Sequence, residues 1–482
     1  MKLKFYLPLK KWLSAIVMLV CGCNSLSAQS CSNLNLQFKA DIVSACSTNT
    51  MSMMHDINGL PYLYVANKEA GLTIFNISDP SSPQLIATVP VSMFGNHDVM
   101  NVSQQGDFLY LAIGNHFSFL LVPPDSSGMA IVDVSTPSQP FVTDYWIFNG
   151  PVAGSAIAVA DGDFAYLGAM TNGLIILNIA DKTQIALEAQ FLPDINFPDP
   201  NPVNQAKYNA RGLVVKNDVV YLCFDAGGIR IVNVADKSNP VETGRYANPA
   251  LNGLPRAYNN LVLDSIYTYV TVDYCGLEVL NVFDTANITL AGQWNPYNCE
   301  SNPFNWFTSP GHTNEIRFDP DCRLAFLSSG KSEMHVIDLN DPTNPDSCNY
   351  FGSVNDSLGT WGVNIYNGQL YLSYICTLTN IPFLGIWSGL KIFEYTTCST
   401  SDMELSESGF FISNPVEEQL ILGGSLNQYS MLFITDVGGR TVFSVTGDQI
   451  KGKLDISTLD KGVYFLHLYG KRVTELKKFV KL

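Results

Sequence analysis

Two histidines and two arginines are the side chains of this sequence best suited to chemistry: His97, Arg211, Arg256 and His312. Histidine can take up a proton near neutral pH, and arginine can clamp an anion. No G-x-S-x-G elbow, H-E-x-x-H helix or phosphate-binding glycine loop accompanies them. A catalytic interpretation therefore depends on the elements that would bring the four together.

A recurring strand phrase supplies those elements. Its clearest copy runs from Gly71 to Asp79 and reads Gly-Leu-Thr-Ile-Phe-Asn-Ile-Ser-Asp, and copies follow roughly 45 to 57 residues apart. Seven copies begin at Gly71, Gly128, Gly173, Gly228, Gly276, Glu333 and Gly389. The strand before each copy carries an aromatic residue, namely Tyr64, Tyr110, Tyr166, Tyr221, Tyr269, Phe326 or Tyr371. Strand alternation without a helical period predicts an all-β fold, a seven-bladed β-propeller.

Each blade is expected to hold strands A to D, counted outwards from the central channel, with the phrase on strand C. The seventh copy has no strand D after it, and we predict that residues 33–40 supply it and close the ring. This closure predicts four disulfides, with Cys223 left as a buried free thiol. The pairs are Cys31 with Cys398, Cys46 with Cys376, Cys275 with Cys299, and Cys322 with Cys348.

One face of such a propeller, the loop face, holds the D-to-A and B-to-C connections and the starts of the A strands. The four candidate residues are expected there, in a ring with Met51, Ser155 and Trp361. Long insertions at 115–119, 191–208, 294–311 and 381–387 fall on the same face, which makes it the expected binding site. The candidate binding residues are Trp294, Tyr297, Trp306, Phe307, Trp361 and Trp387. They could stack on sugars or grip a peptide, and the alternative is that Trp306 and Phe307 fold inwards as loop cores.

Metal binding has weaker support. His97, Asp98, His116 and His312 are the candidate ligands, but their separation matches no ligand spacing. The recurring Asp79, Asp236, Asp284 and Asp341 precede strand D, where capping of an Asx turn explains them better than a calcium ladder. No cofactor is expected, and calcium is the one ion left open.

The N-terminus has the form of an export signal. Residues 1–28 combine a basic start, a short apolar run and a small-residue exit at Ala28, which predicts a signal peptide. The alternative is a lipoprotein box acylated at Cys23. Loss of four lysines with the signal takes the net charge from −16 to −20, which disfavours nucleic acid as a partner. No other segment is long and apolar enough to span a membrane.

A second domain is expected after the propeller of residues 29–398 and a polar linker at 399–407. Residues 408–482 show strands joined by Gly and Asn turns, which predicts a small β-sandwich. Four motifs occur in order: Asn414-Pro415, Asp436-x-x-Gly439-Arg440, Leu459-x-x-Gly462-x-Tyr464 and Lys478-Phe479-Val480-Lys481. Together they resemble the type IX secretion system C-terminal sorting domain. The resemblance implies recognition by that secretion machinery and passage through the periplasm and outer membrane, to the medium or the cell surface.

The strand C phrase itself resembles the LVIVD repeat of exported bacterial β-propellers, over residues 31–398. That resemblance implies a fold and an exported location but no common activity. We therefore expect an exported binding protein whose ligand is a polysaccharide, a peptide or a partner protein. The alternative is a hydrolase or lyase at the channel mouth, with His97 or His312 as base and Arg211 or Arg256 as anion clamp.

Overall fold

A computed structural model describes most of the chain. The described residues are 34–114, 126–148, 154–306, 308–353, 355–377, 384–395, 411–424, 426–470 and 474–482. The predicted signal peptide and linker, Cys31, Cys398, His116 and Phe307 lie outside these ranges. Within them, no helix is long and apolar enough to cross a bilayer.

Seven four-stranded antiparallel sheets form the blades, as predicted. In strand order A to D, the first three blades are Ser52–His55, Tyr62–Ala66, Leu72–Asn76 and Gln84–Val89; Val99–Gln105, Phe108–Ile113, Ser127–Asp133 and Phe141–Phe148; and Ile157–Asp161, Phe164–Gly168, Leu174–Asn178 and Ala186–Phe191. Blades four to six are Leu213–Lys216, Val219–Cys223, Ile229–Asn233 and Val241–Tyr246; Tyr258–Asp264, Tyr267–Val272, Gly276–Asn281 and Thr289–Trp294; and Thr313–Asp319, Leu324–Ser329, Met334–Asp338 and Asp346–Phe351. Blade seven has Thr360–Tyr366, Gln369–Tyr374 and Ser388–Tyr395, with Leu36–Ser44 outside them.

The N-terminal strand completes blade seven. Its register runs from Leu36 opposite Tyr395 to Ser44 opposite Ser388. Strand A of blade seven also contacts strand A of blade one, so the innermost strands form a continuous ring. A disulfide between Cys46 and Cys376 ties the N-terminal segment to blade seven.

Packing between blades follows the alternation of the strands. Leu72 and Ile74 of one strand C point into the core shared with the next blade, whereas Phe75 points towards the preceding blade. In blades one to six the C-to-D ladder shifts register at one repeated position, as between Ile74 and Phe75. A bulge increases the local twist, which suits the steeply twisted outer strand of a blade.

The C-terminal region packs two sheets around a separate core. One sheet has Phe411–Ile412, Gln419–Gly423 and Lys453–Asp455. The other has, in spatial order, Thr441–Thr446, Tyr429–Asp436, Gly462–Gly470 and Thr474–Lys481. Leu420 and Leu454 of the first sheet meet Leu432 and Leu466 of the second, which gives the expected sandwich. Short 3-10 helices occur at Val91–Phe94, Gln205–Lys207, Pro249–Leu251, Leu426–Gln428 and Gly447–Gln449.

Candidate functional site

The channel is lined by a ring that differs in part from the expected one. Met51, Arg211 and Trp361 lie at the channel, as predicted. In blades two, five and six the lining residues are Met100, Asn259 and Asn314, which come two or three residues after His97, Arg256 and His312. The A strands of these blades begin with a register shift, for example between Tyr258 and Asn260. The extra residue at each bulge moves the predicted side chains out of the ring.

The ring has an apolar side and a polar side. Met51, Met100 and Trp361 pack together from blades one, two and seven. Asn259 and Asn314 stand on the other side, and the Asn259 carbonyl oxygen and Asn314 amide nitrogen are buried without a protein partner. The cavity between the two sides has a volume of about 30 Å³. That is room for about two water molecules, so a substrate could not enter the channel at this level.

A cluster of titratable groups lies at the channel mouth, between blades four and six. His312 Nδ1 is 3.0 Å from Asp273 Oδ1, and both side chains are buried. Asn209 donates a hydrogen bond of 2.8 Å to Asp225. Burial raises the pKa of Asp225 to about 6, against the opposing effect of the Arg211 charge. A carboxylate behind an imidazole is the arrangement that orients a general base, so this cluster is the part of the molecule best suited to acid–base chemistry.

Arg256, one of the expected anion clamps, is buried and bound by the protein itself. Its Nε donates to the Ala226 carbonyl over 2.9 Å and its Nη1 to the Leu251 carbonyl over 2.6 Å. Its Nη2 lies 2.5 Å from Asp199 Oδ2, on the blade-three insertion. These contacts assign the guanidinium to holding two connections of the loop face together.

The other weak candidates are dispersed. His97 is half-buried in the connection between blades one and two, and Asp98 forms an ion pair of 2.9 Å with Lys68. Among the described residues, no group of three or more His, Cys, Asp or Glu side chains is arranged to hold a metal ion. The candidate metal ligands are therefore not brought together within this part of the chain.

The expected aromatic binding residues are largely covered. Trp294 is buried against His335, with ring centroids 4.8 Å apart, and Trp361 is buried at the channel. Tyr297 is half-buried, and its hydroxyl donates to Ser332 over 3.1 Å. Trp387 is half-buried and packs edge-on against Tyr374 at 5.0 Å. Trp306 is also half-buried, so none of these described rings forms an open stacking platform.

One position of the strand C phrase, overlooked in the sequence, anchors the loop face. It is the third residue of each copy, and in blades one to seven it is Thr73, Ala130, Ile175, Arg230, Glu278, His335 and Lys391. Blades four to seven carry titratable side chains where the first three do not. Each of the four contacts the connection that arrives from the preceding blade. The change from small or apolar to titratable residues at one repeat position was a signal available in the sequence.

Arg230 holds the blade-three insertion. Its side chain is 0% exposed, and its Nη2 donates to the carbonyls of Asp194 and Phe197 over 2.8 and 3.2 Å. Its Nη1 pairs with Glu242 at 3.2 Å, and the guanidinium lies over the Phe197 ring at 5.0 Å. A buried arginine is costly unless its donors are satisfied, and here the insertion backbone satisfies them. The insertion is thus fixed in one conformation.

Glu278 holds the connection between blades four and five. Its carboxylate accepts hydrogen bonds from Asn248 over 2.8 Å and from the Tyr258 hydroxyl over 2.9 Å. Asn248 also caps the 3-10 helix Pro249–Leu251 by accepting from the Ala250 amide. Burial raises the pKa of Glu278 to about 7.

His335 and Lys391 serve the remaining blades. The His335 ring lies between Trp294 and Tyr350, 4.8 Å from each centroid, and burial lowers its pKa to about 4. Lys391 stands 3.8 Å from buried Glu333 and over the Tyr374 ring at 4.8 Å. Charged and aromatic groups therefore fix the loop face around half of the ring.

Disulfides add to this support. Cys275 and Cys299 are bonded and fix the blade-five insertion to strand C. Cys322 and Cys348 are also in disulfide bonds and pack in one core cluster. Among the described residues the free cysteine is Cys223, which is buried, as expected.

The opposite face, here called the turn face, holds the A-to-B and C-to-D turns. Asp79 accepts hydrogen bonds from the Ser81 amide and hydroxyl over 3.0 and 2.6 Å, and Asp236, Asp284 and Asp341 cap their turns in the same way. The hydrogen bonds to Ser81 hold the pKa of Asp79 below its usual range. These aspartates are turn caps, as predicted.

Comparison with known proteins agrees with this description. The LVIVD repeat matches residues 61–91, 97–144, 153–192 and 209–248, and the secretion system C-terminal sorting domain matches residues 413–482. No protein of curated function matches the chain in sequence.

Solved structures show the same fold at low identity. The β-propeller domain of Myceliophteria thermophila Cps50 (Swd1) is similar at a TM-score of 0.51 and 10% identity, over 75% of this chain and 100% of that one. Saccharomyces cerevisiae Sqt1 is similar at a TM-score of 0.48 and 10% identity, over 92% of this chain and 99% of that one. The chain is thus an LVIVD-repeat β-propeller protein that ends in a type IX secretion system C-terminal sorting domain.

Proposed function

We propose that this exported propeller is a binding protein that presents its loop face to an extracellular peptide or protein. The observation that carries the proposal is the clamping of the blade-three insertion by buried Arg230. A loop that is fixed before binding loses little conformational entropy when it meets a ligand. Buried charges spent on holding a surface loop are difficult to explain by stability alone.

The exposed side chains of the insertion favour a peptide or protein over a polysaccharide. Leu192 is 61% exposed and Val203 is fully exposed. Leu384 and Ile386 are exposed on the blade-seven connection of the same face. Aliphatic groups bury well against a polypeptide, whereas sugars are held by open aromatic rings, and the tryptophans of this face are covered.

The proposal is tested with the mature full-length protein on a displayed peptide library and a glycan array. Selected peptides should bind at least about tenfold more weakly to the variant Leu192→Ser/Val203→Ser. Leu187→Ser, an exposed leucine on the outer strand of blade three, is the matched control and should bind normally. Binding to glycans alone, or equal loss in the control, would contradict the peptide assignment.

The alternative is a hydrolase or lyase at the channel mouth, and the 3.0 Å contact between Asp273 and His312 is the observation in its favour. In this case His312 is the base, Asp273 orients it, and Arg211 is the anion clamp. A panel of chromogenic esters, glycosides and phosphates should then show turnover that His312→Asn abolishes. His335→Asn, distant from the mouth, should keep it. Absence of turnover in the parent protein would remove this alternative.

A further inference from the structure

The larger sheet of the sorting domain has an outward face that is buried. Leu432, Ile434 and Leu466 point into the domain's own core. Side chains alternate along a strand, so the neighbouring Phe433 and Thr435 must point away from that core. Both are nevertheless buried, with exposures of only 5% and 7%. Something outside the domain therefore covers this face.

The cover is the turn face of propeller blades four and five. The Phe283 ring, in the C-to-D turn of blade five, lies 5.9 Å from the Phe433 ring. The Ser265 hydroxyl, in the adjacent A-to-B turn, shares a hydrogen bond with the Tyr469 hydroxyl. Asn217, in the corresponding turn of blade four, lies beside Gly439. Three turns from two blades thus meet one sheet.

Aromatic rings make up the centre of the contact on the sorting domain. Phe433 stacks on His467 at 4.6 Å and on Tyr469 at 5.4 Å, with interplanar angles of 13° and 9°. These three rings come from two adjacent strands and lie on the outward face. Such a row of rings on the outside of a small sandwich would be an exposed apolar patch if nothing packed on it.

The propeller repeat contains a matching exception. The residue before the turn aspartate is small or polar in the other blades that have this turn, namely Ser78, Ser135, Ala180, Ala235 and Asn340, but it is Phe283 in blade five. The Phe283 amide donates to the Asn281 side chain over 3.0 Å, and the Ser78 amide donates to Asn76 in the same way. The turn therefore forms without an aromatic residue. Phe283 is explained by its contact with the sorting domain.

We propose that the sorting domain of this protein docks on the turn face of its own propeller through the face formed by Phe433, His467 and Tyr469. The end of strand C in blade seven, Tyr395, lies at the turn face, so the chain leaves the propeller on the side where the domain docks. Docking leaves the motif residue Arg440 80% exposed and available for recognition. The loop face points away from the sorting domain, and a ligand can reach it before that domain is removed.

The test measures the distance between the two domains in the mature full-length chain. Nitroxide labels are placed at Thr289→Cys in blade five and Thr458→Cys in the sorting domain, both exposed positions. Electron–electron double resonance should give one narrow distance distribution. Phe283→Ser, which installs the residue of blade one, should raise the population of a broad, undocked component by about tenfold. Asn340→Ser at the same repeat position of blade six is the matched control and should keep the narrow distribution.

Two further measurements keep the result interpretable. Phe283→Leu retains most of the apolar area and should stay docked, and thermal unfolding should show that all variants fold. A broad distribution in the parent, or a narrow one in folded Phe283→Ser, would overturn the proposal.

Discussion

Replacing Glu278 by glutamine should make the protein more stable at alkaline pH and change little at acid pH. Burial raises the pKa of Glu278 from an ordinary 4.5 to about 7. The folded state therefore holds this proton over a range in which the unfolded chain has lost it. Stability falls as the pH rises between the two values, because the unfolded state binds fewer protons there. Each pKa unit corresponds to about 1.4 kcal/mol, so ionising Glu278 costs the folded protein about 3 kcal/mol.

Glutamine keeps the shape of the side chain and carries no charge at any pH. Its amide can still meet Asn248 and Tyr258, at the cost of about 1 kcal/mol if one hydrogen bond is lost. The free energy of unfolding of Glu278→Gln minus that of the parent should therefore rise by about 3 kcal/mol between pH 5 and pH 8.5. Asp225, whose pKa is raised to about 6, titrates in the same range but is present in both proteins and cancels.

The assay is urea unfolding of both proteins at the two pH values, with the propeller transition followed by tryptophan fluorescence. Glu188→Gln, an exposed glutamate of the outer strand of blade three, is the matched control and should show no such change. If the difference for Glu278→Gln stays the same within about 1 kcal/mol at pH 5 and pH 8.5, the carboxylate is not held protonated by burial and the reasoning is wrong.

Two other anchors give predictions with distinct signs and readouts. Burial lowers the pKa of His335 from 6.5 to about 4, so stability should fall as the pH drops from 6.5 to 4; His335→Phe should gain about 3 kcal/mol on the parent across that range, seen by urea unfolding. A constant difference would refute it. Arg230→Met should destabilise the protein by about 3–5 kcal/mol, because it leaves Glu242 and the insertion carbonyls without their partner. Proteolysis mapped by mass spectrometry should then cut residues 192–207 faster than in Arg245→Met, whose guanidinium is partly exposed; equal cutting would contradict the clamp.

The propeller could be predicted from the sequence because its information is periodic. Each copy of the strand C phrase states the same alternation, and the missing seventh strand D pointed to the N-terminus. The sorting domain was recognisable from motifs such as Gly439-Arg440, which form a turn in which the Asp436 carboxylate accepts from the Arg440 amide.

The channel ring could not be placed correctly from the sequence. The starts of the A strands contain bulges, which shift the pairing by one or two residues and leave no mark in composition. Strand counting therefore selected Arg256 and His312, whereas the fold turns Asn259 and Asn314 into the channel. The tryptophans failed for another reason: a large ring near a loop buries itself wherever neighbouring rings allow, as Trp294 does against His335.

The pairing of Leu36–Ser44 with Ser388–Tyr395 also dictates the order in which the molecule can assemble. Leu36 and Tyr395 meet across almost the whole length of the propeller sequence. Contacts between such distant residues form slowly, because a very long segment must be ordered before they can be made. Blades one to six can each be built from neighbouring strands as the chain emerges, but the last blade cannot. The first strand to emerge is thus the last to be placed, and the ring remains an open arc with two unpaired edges until residue 395 has been exported.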